Sequence, residues 1–96
     1  MAIHREKPKE KVYVKVRSFF DRIGDMQPTS IIWEDGREFK IDAVTDFYPA
    51  TGQSNASQDD RYTVKINGEY KYLYFERTDS YFPYRYGRWY VKVSHP

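Results

Sequence analysis

Apolar and polar residues alternate strictly through Val12-Tyr13-Val14-Lys15-Val16-Arg17, with β-branched side chains on one side. Alternation of this kind marks a strand with one buried face, because successive side chains point to opposite sides. Ser30-Ile31-Ile32-Trp33 reads as a second strand, and the alternation recurs in Arg37-Glu38-Phe39-Lys40-Ile41-Asp42, which extends towards Tyr48. It returns in Arg61-Tyr62-Thr63-Val64-Lys65-Ile66, from Glu69 to Arg77, and from Gly87 to Val93. Ala43 and Val44 are adjacent apolar residues that break the alternation, and a β-bulge near them restores it. Asp35-Gly36 and Asn67-Gly68 each separate two alternating runs and predict type I′ hairpins, which need φ > 0 at both central residues. Asp21-Arg22-Ile23-Gly24-Asp25 reads as a further turn. No window shows a capped amphipathic helix.

These elements predict an all-β domain of about six short antiparallel strands, forming a small SH3-like barrel or a strongly bent sheet. Closure would protect the edge strands from pairing with other chains. Residues 1–10 are polar and proline-interrupted and read as a flexible tail, leaving one domain over 11–96. Two connections stand out: a polar loop at 49–60 and an aromatic loop at 78–86.

Composition narrows the function classes. The chain has 96 residues, ten Tyr, six Phe, two Trp, no Cys and a net charge of +2. Without cysteine there is no disulfide framework, thiolate metal site or thiol nucleophile. So many aromatics argue against a disordered chain. No apolar run reaches the length of a membrane-spanning helix and the N-terminus lacks a secretory pattern, so a cytoplasmic protein without a membrane role is expected. A chain this small needs large rings in its core, which accounts for part of the Tyr content.

Catalytic chemistry is sparse. His4 and His95 lie at the chain ends, where a rigid second shell is hard to build. Asp42, Asp46, Asp59 and Asp60 lack the spacing of a calcium loop. Asp35 beside Glu34 is explained by the turn. The isolated glycines form no phosphate-cradling loop. The expectation is a non-enzyme without metal or cofactor.

Binding chemistry is richer. With Val12, Val14 and Val16 inward, Lys11, Tyr13, Lys15 and Arg17 face outward; the fourth and last strands likewise expose Arg61, Lys65, Arg88, Tyr90 and Lys92. The seven basic residues among these are accompanied by no acid. Cations interleaved with aromatic rings suit single-stranded nucleic acid, whose phosphates meet the charges and whose bases stack on the rings. Tyr13, Lys15, Arg17, Lys65, Arg88, Tyr90 and Lys92 are the candidate residues, and pairing of the first and last strands would join Tyr13, Lys15, Tyr90 and Lys92 in one patch. The same lysines also suit a solvated surface that resists edge pairing. A second candidate surface is Tyr81, Phe82, Tyr84, Arg85 and Tyr86, a Tyr- and Arg-rich loop resembling protein-binding hot spots. It points to a protein partner or a homodimer, unless its rings cap an open barrel end. Tyr70, Tyr72 and Tyr74 share one face of the fifth strand and face the same choice between core and surface.

Pro28, Ser30, Ile31 and Trp33, then Gly36-Arg37-x-Phe39-x-Ile41 and Val44, followed by Arg61-Tyr62-x-Val64, Leu73-x-Phe75 and Gly87-Arg88-Trp89-Tyr90-Val91, together resemble a group of uncharacterised small bacterial β-proteins. Some members of that group are encoded beside Y-family translesion DNA polymerase genes. The resemblance covers roughly residues 11–93 and its motifs are mostly structural; the polar 49–60 loop departs from it. It implies a nucleic-acid-associated accessory role in DNA damage tolerance, and it carries no catalytic residue over.

Overall fold

The computed structural model describes residues 9–50, 59–78 and 86–94, and every regular element among them is a β-strand. The strands are β1 (Lys9–Phe20), β2 (Met26–Ile32), β3 (Glu38–Lys40), β4 (Ala43–Tyr48), β5 (Asp60–Ile66), β6 (Glu69–Thr78) and β7 (Tyr86–Ser94). They form one antiparallel sheet in the order β3-β2-β1-β7-β6-β5-β4. The all-β expectation holds, with seven strands in place of six. The extra strand arises because the third predicted strand divides at Ile41-Asp42.

That division shapes the fold. β3 and β4 are consecutive in the chain yet stand at opposite edges of the sheet. The Ile41 N–H donates to the Thr29 carbonyl on β2 at 2.9 Å, and the Asp42 N–H donates to the Lys65 carbonyl on β5 at 2.8 Å. One short crossing therefore ties the two edges, and the sheet curls into a half-barrel rather than closing along its whole length. β1 supplies the other bend. Its first half, Lys9–Val14, pairs with β7, whereas Lys15–Phe20 pairs with β2.

The turns show why some local signals were stronger than others. Asn67 and Gly68 both have positive φ, 51° and 80°, as a type I′ turn requires. At Asp35-Gly36 the expected type I′ turn is replaced by a wider one. Trp33 N–H donates to the Arg37 carbonyl, Gly36 N–H donates to the Trp33 carbonyl, and only Gly36 has positive φ. This is a type I turn followed by a left-handed glycine. The Asp35 carboxylate accepts from the Arg37 N–H and Nε and holds the arrangement. Asp21 to Asp25 repeats the same backbone pattern, with Gly24 in the left-handed position. The anticipated bulge is present, as a register shift between Val44 and Asp46.

The concave face holds the core. Ile31, Ile41, Tyr62, Val64, Ile66, Leu73 and Trp89 are buried there, with Val14, Val16, Phe39, Val44, Phe75 and Val91 packed against them. Tyr62 reaches across the curl and donates its hydroxyl to the Met26 carbonyl at 3.2 Å, joining β5 to β2. Burial, with a further contribution from the Asp60 carboxylate, pushes its phenol up to about 12. Asp60 is itself buried; it accepts a bidentate pair from Arg77 at 3.0 and 3.1 Å and the Ala50 N–H at 2.8 Å. These bonds hold together the two ends of the 51–58 connection, whose residues lie outside those described.

Gly87 makes room for Phe75. A Cβ at Gly87 would stand 1.9 Å from the Phe75 Cζ, whose ring packs on Trp89 with centroids 4.9 Å apart. Gly87→Ala is expected to lower stability by about 1–3 kcal/mol through overpacking. In a Phe75→Leu background the same change should cost much less. Urea unfolding of the four proteins of this cycle measures it, and strictly additive losses would show that the ring is not what Gly87 accommodates.

Candidate functional site

The outward side of the sheet carries a row of aromatic and cationic side chains across five strands. Tyr13 on β1 pairs with Tyr90 on β7, Tyr90 with Tyr74 on β6, Tyr74 with Arg61 on β5, and Arg61 with Tyr48 on β4. Directly opposed residues share a face, so strand register alone aligns this row. Tyr74 and Tyr90 are stacked with centroids 4.9 Å apart, and Tyr13 meets Tyr90 edge-on at 5.9 Å. Arg61 lies between two rings, 4.7 Å from Tyr48 and 4.6 Å from Tyr72.

Tyr90 lies on the expected face but is only 2% exposed, so it offers no free ring for a base. Tyr13 and Tyr74 flank it, the Lys11 ammonium lies 4.6 Å from its centroid, and its hydroxyl donates to the Asp59 carboxylate. Burial and then Asp59 hold its phenol well above the ordinary range. Alternation correctly assigned its face and missed that neighbouring side chains would cover it.

A carboxylate organises the β1 side of this face. Glu76 on β6 accepts from Lys11 at 3.0 Å, from Arg88 at 2.7 Å and from the Tyr13 hydroxyl at 3.1 Å. The Arg88 guanidinium also lies 4.2 Å from the Tyr13 centroid. The Lys11 hydrogen bond and then the Arg88 hydrogen bond bring the Glu76 carboxyl down to about 2. The same bond raises Lys11, and Glu76 likewise raises Arg88.

Of the candidate residues, Tyr13, Lys15, Arg17 and Arg88 come together. They line a shallow open groove where β1 leaves β7, with Trp89 at its base. Arg17 pairs with Glu38 at 3.2 Å, and that carboxylate also accepts from the buried Ser30 at 2.7 Å. Lys92 pairs in register with Lys11 and places its ammonium 4.7 Å from the Tyr74 centroid. Of the predicted patch of Tyr13, Lys15, Tyr90 and Lys92, β1–β7 pairing joins Tyr13 to Tyr90 and sets Lys92 opposite Lys11, whereas Lys15 pairs with Ile32 on β2 and lines the groove instead. Lys65 is apart from it, on β5 beside Tyr70.

The Tyr stripe of β6 resolves as surface. Tyr70 and Tyr72 are exposed and Tyr74 is half-buried. Exposed Tyr48 extends the aromatic surface, and sequence reading missed it because the bulge ahead of it resets the alternation. Phe19, Phe20 and Ile23 form a second omission: they are exposed at the tip of the β1–β2 hairpin, Ile23 by 83%. Alternation weakens there, and strand pairing carries Phe19 and Phe20 beyond the core.

Three of the four aspartates considered for a metal are engaged separately. Asp42 accepts the Asn67 N–H, Asp59 receives Tyr90, and Asp60 receives Arg77. No three His, Asp or Glu residues gather in a metal-holding group among the described residues. No helix there is long and apolar enough to cross a membrane. His4, His95, Tyr81, Phe82, Tyr84 and Arg85 lie outside the described residues, as does the Tyr86 side chain.

Glu76 makes the stability of this face pH-dependent. Its carboxyl drops from 4.5 to about 2 on folding, so its ionised form favours the folded state. That contribution is complete above the unfolded value and disappears as pH falls through the folded one. Urea unfolding between about pH 6 and about pH 2 should show a steeper loss for the wild type than for Glu76→Gln. Parallel curves would show that Glu76 does not hold these cations.

No family model, curated protein or solved structure matches the chain.

Proposed function

We propose that this chain is a non-catalytic binding module that takes single-stranded nucleic acid on its outer face. The observation that carries the reading is the groove between β1 and β7, lined by Tyr13, Lys15, Arg17 and Arg88 with no carboxylate among its lining residues. Beyond it lie the exposed rings of Tyr72, Tyr70 and Tyr48, each close to an arginine or lysine. Such a surface meets phosphates with cations and bases with rings, which favours single strands and weak sequence preference. Sheet residues also hold this geometry more rigidly than a loop would. The resemblance to proteins encoded beside translesion polymerases favours DNA as the strand.

Fluorescence anisotropy of a labelled oligothymidylate at two salt concentrations tests the reading. Three or four phosphate contacts should give a log–log salt slope of about −2 to −3. Lys15→Glu with Lys92→Glu should abolish binding. Glu76→Gln, which releases Lys11 and Arg88 from their counter-charge, should strengthen it several-fold. No binding at low salt, or a double charge reversal without effect, would sink the proposal.

A protein-binding reading is favoured by one separate observation, the exposed apolar tip of Phe19, Phe20 and Ile23. Large apolar side chains exposed at a hairpin tip are available for contact with another chain. If it mediates self-association, sedimentation should give a dimer for the wild type and a monomer for Phe20→Ser with Ile23→Ser. A wild-type monomer removes that role.

A further inference from the structure

The β6–β7 ladder stops at Tyr74 and Tyr90. Continued in the same register, it would pair Leu73 with Val91, Tyr72 with Lys92 and Lys71 with Val93, but these rungs are not formed. Both members of the Tyr72–Lys92 rung are engaged elsewhere. Tyr72 lies against Arg61 of β5, and Lys92 lies over Tyr74. The strands part, and a cavity of about 530 Å³ opens between them towards β2 and β3. This volume lies within the usual range for a small-molecule site, and barrel mouths are a recurrent place for one.

The lining has two chemistries. Ile31, Phe39, Ile66 and Val91 supply apolar surface, and Trp33 adds a large ring. Lys9, Arg37, Lys71 and Lys92 supply four cations, and no carboxylate lines the cavity. The acids beside these cations are at the rim: Asp35 holds Arg37 at 2.6 Å, and Glu69 reaches Lys71 at 3.4 Å, with both carboxylates exposed. Glu10 stands opposite Val93 in the β1–β7 ladder. An apolar cavity bordered by cations fits a ligand with an apolar body and one anionic end. Such a ligand removes apolar surface from water and keeps its charge beside the lysines.

We propose that this cavity binds an amphipathic anion, with its apolar body against Ile31, Phe39, Ile66 and Val91 and its carboxylate or phosphate beside Lys9, Lys71 and Lys92. The site differs from the outer nucleic-acid face in its floor and in all its cations except Lys92. A fatty-acid carboxylate and an alkyl phosphate share the required chemistry.

Titration of the full chain with decanoate, decyl phosphate, neutral decyl maltoside and acetate, followed by backbone amide shifts, tests the proposal. Decanoate or decyl phosphate should saturate at one site, with shifts centred on Ile31, Trp33, Ile66 and Val91. The tighter of the two identifies the anionic group. Decyl maltoside should bind at least about tenfold more weakly, since it lacks the charge. Acetate should not saturate, since it lacks the apolar body. Lys9→Glu with Lys71→Glu should weaken the better anion by about tenfold or more, whereas Lys40→Glu leaves it unchanged. Both lysines are exposed, so these variants keep the core intact. Equal binding of neutral and anionic amphiphiles, shifts centred on Phe19 and Phe20, or an absence of saturation would each overturn the proposal.

Discussion

The burial of Tyr90 on the side of the sheet away from the core is the interaction on which both faces depend. Its strand has two tasks. Trp89, Val91 and Val93 face the concave core, while Tyr90 points the other way and is still 2% exposed. Burying a phenol requires a partner for its hydroxyl. Asp59 provides that partner, Tyr74 stacks on the ring, and Lys11 covers it. A small domain with one sheet thus gains a second packed cluster without adding a second layer. The polar edges of tyrosine make this workable, because each ring can be covered while its hydroxyl remains hydrogen-bonded.

This cluster fixes the positions of cations that would otherwise move freely in solvent. Lys11, Arg88, Arg61, Lys92 and Lys65 each lie over a tyrosine ring. Contacts of this type contribute on the order of 0.5–1 kcal/mol each when exposed, so they orient side chains more than they stabilise the fold. An oriented cation loses less entropy when it meets a phosphate. Glu76 has the opposite effect on affinity, since it holds Lys11 and Arg88 but also neutralises part of their charge. Preorganisation and attraction therefore oppose one another at this carboxylate.

Much of the fold was legible because it is written in local patterns. Two-residue alternation located the strands, Asn67-Gly68 specified its turn, and the adjacent Ala43 and Val44 anticipated the bulge. Asp35-Gly36 was misread because Glu34 enters the loop and the Asp35 carboxylate stabilises a different backbone. The crossing at Ile41-Asp42 was hidden for another reason: its hydrogen bonds go to Thr29 and Lys65, which are distant in sequence. Within the candidate site, alternation assigned faces correctly for Tyr13, Lys15, Arg88 and Lys92. It had no means of showing that Tyr90 would be covered or that Lys65 would lie two strands from β7, because both follow from strand order.

The near-neutral sum of charges also changes meaning once the strands are placed. Carboxylates on the outer face are used against specific partners: Glu76 on β1 and β7 cations, Glu38 on Arg17, and Asp59 on Tyr90. Those partnerships anchor the face, whereas the split between β6 and β7 is bordered by cations whose counter-charges lie at its rim. The Tyr74–Tyr90 stack sits at the boundary between the two regions. On one side of it the ladder continues to Thr78 and Tyr86, and on the other it ends and the cavity begins. Since Lys92 lies over the Tyr74 ring and also lines that cavity, a ligand that draws Lys92 away would loosen one contact of the outer row. The two surfaces are therefore joined physically through Lys92, Tyr72 and Tyr74, although their floors are made of different residues.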